Sequence, residues 1–172
     1  MSLPEDLIYH ALQLYEGTDY RSSAEVRNRS AVSSAYYSLF HKINEDAVAT
    51  IAPHVQTSTN HRIQRWFDHS EMKKVCGRFI TQPNLSQSLI GLIGNSASPD
   101  LQTVARNFVQ LQEARHSVDY DLGYILDRTE TRRFIELATE ALRAWERIRD
   151  SAETNIFILS LLLWKNWDRE RT

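Results

Sequence analysis

A single cysteine, Cys76, in 172 residues leaves no internal disulfide and no cysteine-rich zinc site. Five glycines and four prolines are too few for a turn-dense β-sandwich, a collagen-like chain or a disordered one, and favour long helices. Neither charge sign dominates: 20 basic residues stand against 22 acidic ones, a net charge of −2. No strong global field therefore draws the chain to nucleic acid or to a membrane, and any nucleic-acid role has to come from a local patch. Long hydrophobic runs are missing too. The longest, Ile156 to Trp164, has nine residues with Ser160 inside it, against the roughly 20 that span a bilayer. The opening Met-Ser-Leu-Pro-Glu-Asp has no basic stretch followed by an apolar one, so no signal peptide is read there and a cytoplasmic protein is expected.

What is present is ordinary globular composition, 42% apolar and 24% charged, in a length that suits one domain able to bury a core without staples. The periodicity predicts a helix from Pro4 to Tyr15, opened by an early proline with Glu5 and Asp6 and closed by Gly17. A second helix of roughly 28 residues is capped by Ser22 or Ser23, with Glu25 in capping-box reach of Ser22, and stopped by Pro53. Its stripe is Val32, Tyr36, Leu39, Phe40, Ile43 and Ala47. Short helices are predicted over Asn60–Phe67 and Glu71–Ile80, with loops around Pro83, Gly91, Gly94 and Pro99. A long helix starts after Ser98, with Pro99 at its first position and Gly123 marking its end. Another starts near Asp127 and runs to Ile148. The last, Ala152 to Asp168, is apolar on every side across Ile156 to Leu163 and is either central or covered by a partner. The expectation is an all-α, up-and-down antiparallel bundle of four to five long helices with a loop-rich middle carrying short ones. It forms one domain over 1–172, with 53–99 as an irregular insertion and 152–172 as an apolar helix available for dimerisation.

Metal and cofactor chemistry find no motif. His10, His41, His54, His61, His69 and His116 are dispersed without an i,i+4 pair, and no glycine-rich phosphate loop or nucleophile elbow occurs. No metal and no cofactor are expected. Cys76 has basic neighbours in Lys-Lys-Val-Cys-Gly-Arg, but free cysteines tend to be buried, and an inert thiol is the reading.

Two rows depart from simple core patterning. Along the helix from Pro99, the apolar stripe Val104, Phe108, Leu111, Val118, Leu122 includes Arg115. A guanidinium there must be paired or must line a cleft. Asp119, one turn on, is a ready partner. Either the two form a register-fixing clamp, or Arg115 is presented to a phosphate. Along the second helix, Arg29, Ser33, Tyr36, Tyr37, Phe40, His41 and Asn44 follow helical spacing along the edge of the core stripe. Either Tyr36 and Phe40 are core while Tyr37 and His41 bond locally, or the row is a polar wall. A third stretch, His61 to Arg78, mixes Arg62, Arg65, Lys73, Lys74 and Arg78 with Trp66 and Phe67. It reads as a solvated amphipathic helix with buried aromatics, or as a track for a single strand.

Arg29-Ser-Ala-Val-Ser-Ser-Ala-Tyr-Tyr-Ser-Leu-Phe-His41 resembles the second-helix signature of a group of small prokaryotic HEPN proteins. Thr59-Asn-His61 resembles the short Thr/Ser-x-His piece that follows that helix, and Arg115-His-Ser-Val-Asp-Tyr-Asp121 their Arg-x-x-Ala-Asp-Tyr segment, with Val118 in place of Ala. The three pieces occur in order over about two thirds of the chain, and the first is the most specific. The resemblance implies a helical bundle, commonly a homodimer, with a polar groove that binds nucleotide or RNA. It also implies a small nucleotidyltransferase partner in a toxin–antitoxin or defence pair; no membrane partner is expected, on the charge balance and the short apolar runs above.

Many proteins of that group are metal-independent ribonucleases whose motif is Arg, a polar residue, then His after four to six residues. Arg115 and His116 match its start, but positions 120 to 122 hold Tyr120, Asp121 and Leu122, so the His is missing. RNA cleavage without metal needs a base and an acid titrating near working pH, and tyrosine, with a pKa of about 10, is a poor base there. The expectation is a nucleotide- or RNA-binding protein without catalysis, its ligand held by Arg115, Asp119, Tyr120, Arg29, Tyr37 and His41. One alternative is an active ribonuclease using Arg115 with His116 or His41. The other is a structural homodimer joined through Ile156–Trp164.

Overall fold

The computed structural model describes residues 2–17, 22–54, 62–80, 91–94 and 96–167, the last four by backbone alone. Among them all regular structure is helical. The principal helices are α1 (Leu3–Glu16), α2 (Ala24–Ile51), α3 (His69–Phe79), α4 (Pro99–Tyr120), α5 (Arg128–Ile148) and α6 (Ala152–Trp167). The expected all-α architecture is what the described residues adopt, with five long helices, the shorter α3, and single helical turns at 62–64 and 91–93. No helix of the described residues is long and apolar enough to cross a membrane.

Local chemistry explains most helix ends. The Ser2 amide donates to Glu5 Oε2 at 2.8 Å, which anchors the start of α1, and Gly17 closes it at φ 75°, donating its amide to the Leu14 carbonyl. Only glycine adopts that left-handed backbone without strain. α2 is capped by Ser23, whose hydroxyl accepts from the Val26 amide at 3.3 Å. Glu25 is not part of a capping box with Ser22; it pairs instead with Arg29 at 3.1 Å. Asp68 caps α3 by accepting from the amides of Ser70 and Glu71, so the helix starts at His69, two residues before the predicted Glu71. Ser98, Asp127 and Ser151 cap α4, α5 and α6 through the amides of Leu101, Glu130 and Thr154.

The chain divides into two compact units, Met1–Lys42 with Asn107–Arg143 and Ile43–Arg106 with Ala144–Thr172. Residues 53–99, expected as an insertion, fall within the second. In the first unit, Val32, Ala35, Tyr36, Leu39 and Phe40 of α2 are buried, as are Phe108, Leu111 and Val118 of α4 and Phe134, Ile135 and Ala138 of α5. Tyr36 sits at the centre, its ring 5.7 Å from Phe108 and 5.9 Å from Phe40. Tyr36 and Phe40 are therefore core, as their spacing predicts. Contacts run in opposite directions along neighbouring helices: Arg29, Ser33 and Tyr37 of α2 meet Asp121, Asp119 and Arg115. Likewise Asn107 and Gln110 of α4 meet Leu137 and Arg133 of α5. The α2–α4 and α4–α5 pairs in this unit are antiparallel.

In the second unit, Met72, Val75, Cys76 and Phe79 of α3 are buried, as are Leu101 and Val104 of α4, Trp145 of α5 and Phe157, Ile158 and Leu161 of α6. Phe79 meets Phe157 edge-on at 5.1 Å. α6 is thus covered on one side by its own chain, while Leu159 and Leu163 remain exposed. Burial pushes the Cys76 thiol pKa far up, so the inert reading holds despite its basic neighbours. Phe67 is buried, but Trp66 is 69% exposed and Lys74 pairs with Glu71. The reading of this stretch as a solvated helix with both aromatics buried therefore fails for Trp66. The predicted helix over Asn60–Phe67 is seen in a single turn at 62–64, and Asn60 lies outside the described residues.

Candidate functional site

The site lies within the first unit, where one face of α2 meets the C-terminal half of α4. Arg29, Ser33 and Tyr37 are spaced four residues apart, so an α-helix places them one above another on one face. Tyr37 accepts a hydrogen bond from Arg115 Nη2 at 2.6 Å. The Ser33 hydroxyl donates to Asp119 Oδ1 at 2.6 Å. Arg29 donates from Nη1 to the carbonyls of Val118 and Asp121, at 2.8 and 3.1 Å, and from Nη2 to that of Tyr124 at 2.8 Å. The polar row beside the core stripe is thus a three-rung ladder between two antiparallel helices.

Arg115 is the hub. Its side chain is 17% exposed, and Nε lies 2.7 Å from Asp119 Oδ2. The N–H is not aimed along that line and has no hydrogen-bond acceptor, so the contact is an ion pair rather than a linear hydrogen bond. The guanidinium carbon lies 5.3 Å from the Tyr37 ring centroid and 5.5 Å from that of Tyr120, distances at which ring faces attract a cation. Burial pulls the Arg115 pKa down, but Tyr37, Asp119 and Tyr120 outweigh it and the net direction is up. Arg115 stays a cation. Among the described residues Nη1 has no acceptor.

The other predicted residues sit around this hub. His41 stacks on Tyr37 at 6.0 Å and 27° and meets Phe40 edge-on at 5.4 Å. It is half-buried, and burial lowers its pKa. His116 is exposed and touches the Tyr120 ring, centroids 5.1 Å apart. Tyr120 itself is 66% exposed. The structure therefore brings Tyr37, Arg115, Asp119 and Tyr120 together, with His41 and His116 each one ring away. Arg29 is present too, but at least four of its five N–H groups are directed to carbonyls and to Glu25. Ser33 was seen in the row but not assigned a role; only its distant partner Asp119 gives it one. Thr59, Asn60 and His61 lie outside the described residues.

Gly123 was expected to close α4, yet the helix stops at Tyr120, and Gly123 does not take the left-handed conformation. Arg29 takes up carbonyls at the helix end, and Asp121 Oδ1 accepts from the Gly123 amide at 2.8 Å to turn the chain. The Tyr124 hydroxyl donates to Glu130 at 2.8 Å. Burial and that carboxylate push its pKa up to about 12, so the hydroxyl remains a donor. A separate cavity of about 250 Å³ lies between α4 and α5, lined by Gln110, Ser117, Tyr124, Arg133 and Phe134 among others. None of the predicted site residues lines it.

The state of His41 has a measurable consequence. Its folded pKa lies below the ordinary value of about 6.5, so in acid the unfolded chain takes up a proton that the native protein resists. Stability is retained above about pH 6.5 and lost as pH falls below it. His41→Gln removes that loss. Thermal melts at pH 7.5 and 5.5 are expected to show a smaller acid-induced fall in Tm for the variant than for the wild type; equal falls would refute the assignment.

The chain matches no protein-family model, no curated protein and no solved structure.

Proposed function

We propose that the protein is a HEPN-like RNA- or nucleotide-binding protein that holds phosphate at Arg115 and does not cleave RNA. The observation that carries this reading is the state of Arg115. It is a cation whose guanidinium carbon lies 5.3 and 5.5 Å from two tyrosine ring centroids, fixed by Asp119 and Tyr37, and with Nη1 left without an acceptor among the described residues. A pre-oriented guanidinium beside an exposed aromatic suits a phosphate flanked by a base, the cation on the phosphate and Tyr120 under the base. The near-neutral net charge is no obstacle, because a half-buried cation acts at short range in a lower dielectric than bulk water.

The residues around Arg115 support the reading without cleavage. The positions where the ribonuclease motif places its histidine hold Tyr120, Asp121 and Leu122. Of the two nearby histidines, His116 contacts the Tyr120 ring and His41 stacks on Tyr37. A toxin–antitoxin or defence role with a small nucleotidyltransferase, and homodimerisation through the exposed Leu159 and Leu163 of α6, belong to the same proposal.

A second reading is favoured by one observation: Ser33, Tyr37, Arg115 and Asp119 largely satisfy one another. In that reading they are a helix-pairing network and the protein is a structural homodimer. Incubation of the purified protein with end-labelled single-stranded RNA in EDTA separates the readings. Retention of intact RNA is the expected result. Cleavage would establish the ribonuclease alternative, and neither retention nor cleavage would leave the structural one.

A further inference from the structure

We propose that Arg29 is a positioning residue for the Arg115 site rather than a ligand of its own. The inference rests on the reading of Arg115 as the phosphate contact. Arg115 lies in the last two turns of α4, which ends at Tyr120. The C-terminal end of a helix carries unpaired carbonyls and about half a negative charge, an unfavourable place for an anion. Arg29, on α2, meets that difficulty. Its side chain is 15% exposed, and its guanidinium takes up the carbonyls of Val118, Asp121 and Tyr124. One cation thereby lowers the negative potential at the helix end and binds the last turn of α4 to the turn that follows.

The residues so held are those around Arg115. Val118 precedes Asp119, which pairs with Arg115 Nε, and Tyr120, whose ring lies 5.5 Å from the guanidinium. Ser33 adds a second restraint one turn along α2 by donating to Asp119 Oδ1. Glu25 pairs with Arg29 Nε, so at most one N–H of Arg29 is left for anything else. That is too little for the bidentate contact by which arginine recognises phosphate. Arg29 acts through α4.

The test separates a positioning role from a direct contact by salt dependence. Each phosphate contact to a single strand contributes about 0.7 to the slope of log affinity against log salt. Fluorescence-anisotropy titrations of a labelled single-stranded RNA with wild type, Arg29→Lys, Arg29→Met and Arg115→Ala would be run from low to moderate salt. Arg115→Ala is expected to lower the slope by about 0.7. Arg29→Met is expected to weaken binding about tenfold at every salt concentration with the slope unchanged. Arg29→Lys, which keeps the charge but not the three-carbonyl fork, is expected to recover part of that loss. Hydrogen exchange at the Gly123 and Tyr124 amides should accelerate in both Arg29 variants.

A slope lowered by about 0.7 in the Arg29 variants would make Arg29 a phosphate ligand and overturn the proposal. Unchanged affinity in a folded Arg29→Met protein would overturn it as well. Should the methionine variant fail to fold, the lysine variant decides on the same two readouts. Failure of wild-type protein to bind RNA would instead overturn the Arg115 reading, and with it the purpose assigned to Arg29. Wild-type binding that survives every Arg29 change would sink this inference alone.

Discussion

Trp145→Ala is expected to lower folding stability by about 3–5 kcal/mol, the range for deleting a buried tryptophan. Trp145 is fully buried in the second unit. Its indole N–H donates to Asp46 Oδ2 at 2.7 Å, and its ring meets Phe157 at 6.1 Å and 64°. Phe157 packs in turn on Phe79. Alanine removes a ring from the middle of this aromatic chain, leaves a cavity in a close-packed interior, and takes from Asp46 a charge-assisted donor. For a protein of this length each kcal/mol shifts Tm by about 2–4 °C, so a fall on the order of 10 °C is expected. Trp145→Phe isolates the polar part. It keeps most of the volume and loses the N–H, for a cost of about 1–3 kcal/mol. Urea and thermal denaturation of the two variants would check the ordering. An alanine variant no less stable than the phenylalanine variant would mean that the site collapses around the missing ring.

Arg115→Ala is expected to reduce affinity for single-stranded RNA by at least tenfold, since a charge-assisted hydrogen bond to phosphate contributes about 1.5–3 kcal/mol. The effect on stability is smaller. Both members of the Arg115–Asp119 pair reach solvent, at 17% and 30% exposure, so water replaces part of what the pair contributes. Lysine is not a conservative replacement here. Arg115 engages Asp119 through Nε and Tyr37 through Nη2, and a single ammonium cannot hold that spread of contacts. Arg115→Lys should therefore restore less than half of the lost binding free energy. Full restoration would show that only the charge matters and would remove the argument from pre-orientation.

Much of the fold was legible because it is set by short-range chemistry. Gly17, Ser98 with Pro99, and Asp127 act on backbone groups within four residues, and the helices begin or end where those residues predict. The burial of Tyr36 and Phe40 follows from 3-and-4 spacing alone, and so does the Arg115–Asp119 pair. Long-range partners were not legible. Arg29 closes α4 from 89 to 95 residues away, and no local pattern announces that. Gly123 was the local signal for the end of α4, and it lost to an arginine arriving from another helix. The same limit explains Ser33, whose partner Asp119 lies 86 residues on. Exposure of Trp66 beside buried Phe67 was not legible because the helical turn ends at 64 and both residues lie beyond it, where no 3.6-residue period says which side chain faces out.

The fully buried Cys76 gives the molecule a built-in chemical clock. With no other sulfhydryl in the chain and its thiol sealed in the core of the second unit, a thiol-reactive dye can label the native protein only when that core opens. The labelling rate, compared with that of a free cysteine, then reads the free energy of opening without any engineered probe. A reagent concentration series distinguishes rapid opening and closing from rate-limiting opening. Variants of the Arg115 site, in the other unit, can be screened by the same clock for whether they disturb Cys76 at all.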